Sequence, residues 1–200
     1  VVAAQQRMRS VLDKITRWEP GSKLIACFYG GDTRTRERVI SASRKWLEDA
    51  AVNLKVDFGV APNYRNCGAE QRRSGNKEDI RIGFRDRGYW SWVGTQSHDI
   101  DGPSMNLENF DANPVSDQEF NRIVMHEFGH AFGFQHEHQS PAVPDCGFNI
   151  SRIKSDLNWT DDDIRVNFAK LQADQKAYRW SQPDPQSIMM YSLDPSFFRD

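Results

Sequence analysis

Only three cysteines occur in the 200 residues, too few for the multiply bridged scaffolds that hold very small secreted domains together. No apolar run approaches the ~20 residues that a helix needs to span a bilayer. An excess of either charge is also missing. The formal net charge is −2 and the pI about 6.2, so nothing electrostatic argues for a nucleic acid or an anionic membrane as partner. Internal repeats are absent, which sets aside solenoids and propellers. What is abundant is aromatic: six tryptophans and twelve phenylalanines favour a folded chain over a disordered one. A length of 200 residues suits one domain with a sizeable core. The chain opens on Val1 rather than methionine, so removal of a leader or propeptide is expected.

Histidine is scarce, yet four of the five lie between His126 and His138. His126, Glu127, His130, Gly133 and His136 fill the pattern H-E-x-x-H-x-x-G-x-x-H. Two histidines four residues apart share one helix face, because a turn takes about 3.6 residues. Glu127 then stands beside a water on the metal without ligating the metal itself. Gly133 lets the chain leave the helix sharply, since glycine accepts a left-handed conformation at little cost, and the turn returns His136 to the same ion. The bland alternative is a helix carrying satisfied core histidines. Chance production of the five positions, on the order of once in a hundred thousand such chains, weighs against it. A downstream glutamate could complete a shorter two-histidine motif, but none follows Glu137. The ligand set read from the spacing is therefore His126, His130 and His136, holding one Zn2+.

The flanking sequence predicts the helix that the motif needs. Ser116 and Glu119 form a candidate capping box, and Phe120, Ile123, Val124, Phe128, Ala131 and Phe132 recur at helical spacing. The expected span is about 117–132. Elsewhere the pattern predicts a short helix over 5–17, a buried strand at 24–29, and a helix capped by Thr33 or Thr35 and running to about 50. Strands follow near 54–60, 79–84, 90–94 and 104–107. Thr160 with the acidic run 161–163 starts a helix through Leu171; that run fits a helix start better than a calcium site, and structural Ca2+ has no other support. The stretch 173–186 reads as loop.

Cys27 lies in an apolar strand and reads as an inert core thiol. Cys67 and Cys146 sit in glycine-containing loops, and a bridge between them is compatible with an oxidising compartment, although spacing does not fix connectivity. Two sequons, at Asn149 and Asn158, are close to the number expected by chance and carry little weight.

The zinc motif, followed by Ser187-Ile188-Met189-Met190-Tyr191, resembles the metzincin metalloendopeptidases, in which a methionine-containing turn comes after the third histidine. The S-x-M-x-Y form is similar to the astacin and serralysin branches. Glu137 directly after His136, and Trp90-Ser91-Trp92-Val93-Gly94, resemble the astacin branch in particular. The similarity spans roughly residues 20–191. Departures are Ser140 where astacins usually have arginine, Tyr89 where they have cysteine, and a short tail after Tyr191.

The resemblance implies an α+β zincin-like fold: a twisted mixed five-stranded sheet with two long helices above an irregular lower subdomain, zinc lying in the cleft between. It implies one catalytic domain over 1–200, with the upper part ending near 136. Glu127 is the expected general base. Met189 is expected beneath the metal and Tyr191 within reach of it, where the bland reading of each is an ordinary core residue. Glu137 is either a family feature or a solvated charge, and His98 and His138 are taken as surface residues. The expected activity is hydrolysis of peptide bonds in extended protein or peptide substrates by a secreted, monomeric enzyme made as a zymogen. Two alternatives are a zinc-stabilised binding or adhesion module without turnover, and a peptidase toxin or effector directed at one target. Intact Glu127 argues against the first, since a structural zinc site needs no acid–base residue beside it.

Overall fold

The computed structural model describes residues 11–48, 52–68, 78–112, 115–145, 147–191 and 193–199. By its internal contacts the chain falls into two units, Thr16–Phe134 and Gln135–Asp200 with Val1–Ile15.

The first unit is organised by a five-stranded mixed sheet of Lys23–Phe28 (β2), Lys55–Asp57 (β3), Ile80–Gly83 (β6), Tyr89–Ser91 (β7) and Met105–Leu107 (β8), in the order β3-β2-β6-β8-β7. β3, β2, β6 and β8 run parallel and β7 is antiparallel to β8. Strands covered on both faces need near-continuous apolar sequence, which is why β2 reads KLIACF and has Ala26, Cys27 and Phe28 buried. β6 breaks that pattern with Arg81, only 2% exposed. Its guanidinium donates to the carbonyls of Gly102, Glu78, Ser97 and Ile100 at 2.6–3.1 Å. A buried cation is tolerated because each donor finds an acceptor. A small hairpin of Gly59–Val60 (β4) and Asn63–Tyr64 (β5) follows β3.

Two long helices cover this sheet. Thr33–Glu48 (α1) presents Val39, Ser43 and Trp46 inward. Its cap is Asp32, whose carboxylate accepts from Thr35 N at 2.7 Å, rather than either threonine. Asp117–Ala131 (α2) is the helix expected at 117–132, with Ser116 accepting from Glu119 N. Half of the capping box is present. The Glu119 carboxylate turns instead to Arg122, which donates two bonds of 2.7 and 2.8 Å, a charge-assisted fork stronger than a return to the backbone. Two indoles grip α2: Trp46 Nε1 donates to Met125 O at 2.7 Å and Trp18 Nε1 to Ala131 O at 2.8 Å.

The cysteine expectation needs correction. Cys27 is bonded to Cys67, not left as a core thiol. The segment after β5 runs beside the end of β2, with Phe28 N donating to Arg65 O and Cys67 N to Phe28 O, each at 3.0 Å, and this lays the two cysteines together. Cys146 lies outside the described residues.

In the second unit Val11–Asp13 (β1) is a strand paired antiparallel with Tyr178–Arg179 (β10). The expected helix over 5–17 is therefore wrong for its described part, and its first residues lie outside those described; 173–186 is likewise not all loop. After Phe134–Gln135 (β9) come Ile150–Leu157 (α3), which the sequence reading missed, and Asp161–Phe168 (α4). Asn149 caps α3 and Asn158 closes it in the left-handed conformation at φ 53°, so both sequon asparagines are helix punctuation. Thr160 and Asp163 form a reciprocal capping box on α4, which ends before Leu171. Among the described residues no helix is long and apolar enough to cross a membrane.

Candidate active site

α2 carries His126, Glu127 and His130 in its buried second half. Gly133, at φ +103°, ends the helix as the motif requires. The ligating atoms of His126, His130 and His136 lie within 4.8 Å of one another, and all three residues are buried. The three ligands expected from spacing are brought together.

The donor set fits zinc. Three imidazoles with no carboxylate leave an open coordination position, as a catalytic rather than structural site requires. His130 Nδ1 lies 2.7 Å from Phe134 O and His136 Nδ1 lies 3.1 Å from Gln139 Oε1. Bonding Nδ1–H to an acceptor puts the lone pair on Nε2, the usual way a ligand histidine is set for metal. Burial holds His130 down to about 4, opposed by its bond to Phe134, which keeps the ring neutral and ligating. Glu127 is 5% exposed, and its Oε2 is buried with no hydrogen-bond partner among the described residues. Burial pushes its carboxyl up to about 8, against the pull of the Arg122 guanidinium. A buried acceptor without a partner is costly. A water beside it would relieve that cost.

Other expected residues fall less simply. Tyr191 stacks its ring on His136, centroids 4.2 Å apart, while its hydroxyl donates to Asn167 Oδ1 at 2.8 Å. Met189 is fully buried, and its carbonyl accepts from Glu137 N at 3.0 Å, joining the methionine turn to the residue after the third ligand. Glu137 is buried, not solvated; its carboxylate accepts from Asp184 N at 3.2 Å. His138, taken as a surface residue, is also buried, among Phe148, Phe168 and Tyr191. His98 is partly exposed and paired with Asp79. Gln139 and Asn167 carried no signal in the sequence, because each acts through one tertiary contact. The edge segment expected at 90–94 forms β7 over Tyr89–Ser91, at the end of the sheet order, with Tyr89 and Trp92 each 42% exposed.

The sequence model of the astacin peptidase family matches residues 13–197. The chain is 27% identical to the zinc metalloproteinase nas-27 of Caenorhabditis elegans over 97% of its own length, and it spans only 38% of that relative. Two solved structures of myroilysin, both 28% identical, superpose with TM-scores of 0.75 and 0.62. They cover 95% and 92% of this chain and 87% and 76% of theirs. With helix, ligands, methionine turn and sheet order all in agreement, the chain belongs to the astacin family of zinc metalloendopeptidases.

Proposed function

We propose that the protein is a zinc-dependent endopeptidase that cleaves extended protein or peptide chains. The gathering of His126, His130 and His136 around one point, with the buried carboxylate of Glu127 next to them in sequence, carries the reading. Zinc bound there would supply Lewis-acid polarisation of a carbonyl and a water of lowered pKa. Glu127 takes the proton from the attacking water at a carboxylate oxygen, then delivers it to the leaving amine. A raised carboxyl pKa suits the second half of that task, since the group must hold its proton until the amine departs. The Tyr191 hydroxyl leaves Asn167 to donate to the developing oxyanion, adding a hydrogen bond made only as the barrier is crossed.

An extended substrate adds its backbone alongside β7, which ends the sheet and has no further strand in the sheet order. Action outside the cell, as a monomer, belongs to the same proposal and draws support from the Cys27–Cys67 bridge, since such bonds persist in oxidising compartments.

The test is metal analysis of the purified protein together with cleavage of a mixed peptide library, run in parallel on His130→Ala. One zinc per chain with activity, both lost in the variant, is the expected result. Zinc without hydrolysis would favour a binding module. Full zinc and activity in the variant would remove the ligand assignment.

A further inference from the structure

His130 is anchored by a helix, but His136 is not. It sits at the start of the single turn Glu137–Gln139, in extended conformation, where its ring has more freedom than a side chain packed along a helix. Tyr191 lies against one face of the ring, which fixes a plane but cannot choose which nitrogen carries the proton. Gln139 can. Its Oε1 lies 3.1 Å from His136 Nδ1, while its Nε2 donates to Val166 O at 2.8 Å and Ala169 O at 3.1 Å. Two carbonyls at one end of a carboxamide require that end to be the NH2 group. The oxygen must then face His136, and an oxygen calls for Nδ1–H.

Gln139 is itself immobilised. It is 2% exposed, its carbonyl accepts from Leu171 N at 2.9 Å, and the Lys170 ammonium donates to the carbonyls on either side of it, His138 O at 2.8 Å and Ser140 O at 3.4 Å. The same ammonium reaches Val143 O and Pro144 O at 2.8 and 3.2 Å. The loop is thereby held at both ends.

We propose that Gln139 is the positioning residue of the third ligand: anchored on the carbonyls at the end of α4, it fixes the ring orientation and the tautomer of His136. This rests on the zinc reading for its purpose, but not for its first measurement. A carboxamide suits the place better than a carboxylate, which would accept from His136 equally well but would face the carbonyls of Val166 and Ala169.

The experiment compares the parent with Gln139→Met and Gln139→Glu. Three quantities are read: the His136 imidazole nitrogen shifts in zinc-chelated protein, zinc affinity by chelator competition, and the thermal midpoint of the zinc-free protein. The parent should show one Nδ1–H tautomer. Gln139→Met should show a mixture and bind zinc about 10–100-fold more weakly. Gln139→Glu, which keeps an acceptor for Nδ1–H while losing both donor bonds, should keep the single tautomer and bind zinc more tightly than Gln139→Met. A methionine variant with one tautomer and parental zinc affinity would overturn the proposal. So would equal loss of zinc in both variants, tracking the fall in thermal midpoint, because that is the behaviour of mere packing. If the tautomer shift appears but the parent binds no zinc, the positioning stands and the zinc reading falls.

Discussion

Glu127 is a carboxyl group that folding places where ionisation is unfavourable, and that has a consequence even without metal. Below its ordinary 4.5 the group is neutral in both folded and unfolded chains and contributes nothing. As pH rises towards about 8, the unfolded chain gives up the proton while the folded chain keeps it, so the zinc-free fold loses stability. Replacing Glu127 with Gln removes this term. After chelation the variant should melt higher than the parent at pH 8, with the two converging near pH 4.5; parallel curves across that window would contradict the burial argument. His130 works in the opposite direction, since its lowered value means that zinc-free stability falls as pH drops from 6.5 towards about 4. With zinc present, Glu127→Gln should retain the metal and lose roughly 10²–10⁴-fold in peptide hydrolysis, read by metal analysis and turnover on one sample. For Tyr191→Phe the expected change is a lower kcat with KM nearly unaltered, because a bond made only in the transition state does not tighten the ground state. Steady-state kinetics on a single peptide decide it, and unchanged kcat would leave Tyr191 as packing on His136.

Elements differ in how much of themselves they write into the chain. α2 was legible because capping, apolar period and ligand spacing coincide over fifteen consecutive residues. β1 was not: Val11, Leu12 and Ile15 fit a helical stripe, and only pairing with distant residues near Tyr178 makes a strand. In α3 the asparagines admitted two meanings, and capping prevailed over the sequon because Asn149 Oδ1 accepts from Arg152 N at 3.2 Å. His138 and Glu137 are polar residues buried by tertiary partners, which no local pattern announces. The three ligands escaped this difficulty because their spacing is itself the signal. One element-scale constraint is sharp enough to test. Gly94, after the edge segment, has φ +52°, and a Cβ there would overlap the Thr16 carbonyl oxygen, which already accepts from Thr95 N at 2.7 Å. Gly94→Ala combines backbone strain with a backbone clash and should cost at least about 1–3 kcal/mol, measured by denaturant unfolding. An unaltered midpoint would mean that the segment shifts freely.

For the whole molecule the covalent bond between Cys27 and Cys67 is the strongest long-range restraint on the described part of the Thr16–Phe134 unit. It closes a loop with a sequence separation of 40, and its loss should lower stability by about 2–5 kcal/mol. Paired Cys27→Ser and Cys67→Ser replacement, followed by thermal unfolding, measures it; a midpoint equal to that of the parent would show that the surrounding sheet alone holds β2 and the 65–67 segment together. The same bond bears on survival in a digestive setting. An enzyme that cuts proteins is exposed to its own copies, and β4 with β5 forms a hairpin between the two cysteines with Val60 at its tip, 78% exposed. A nick there leaves both pieces tethered. Aged preparations should therefore migrate as one band on a non-reducing gel and separate into two only after a thiol is added, so that self-inflicted cuts in this loop go unnoticed by size alone.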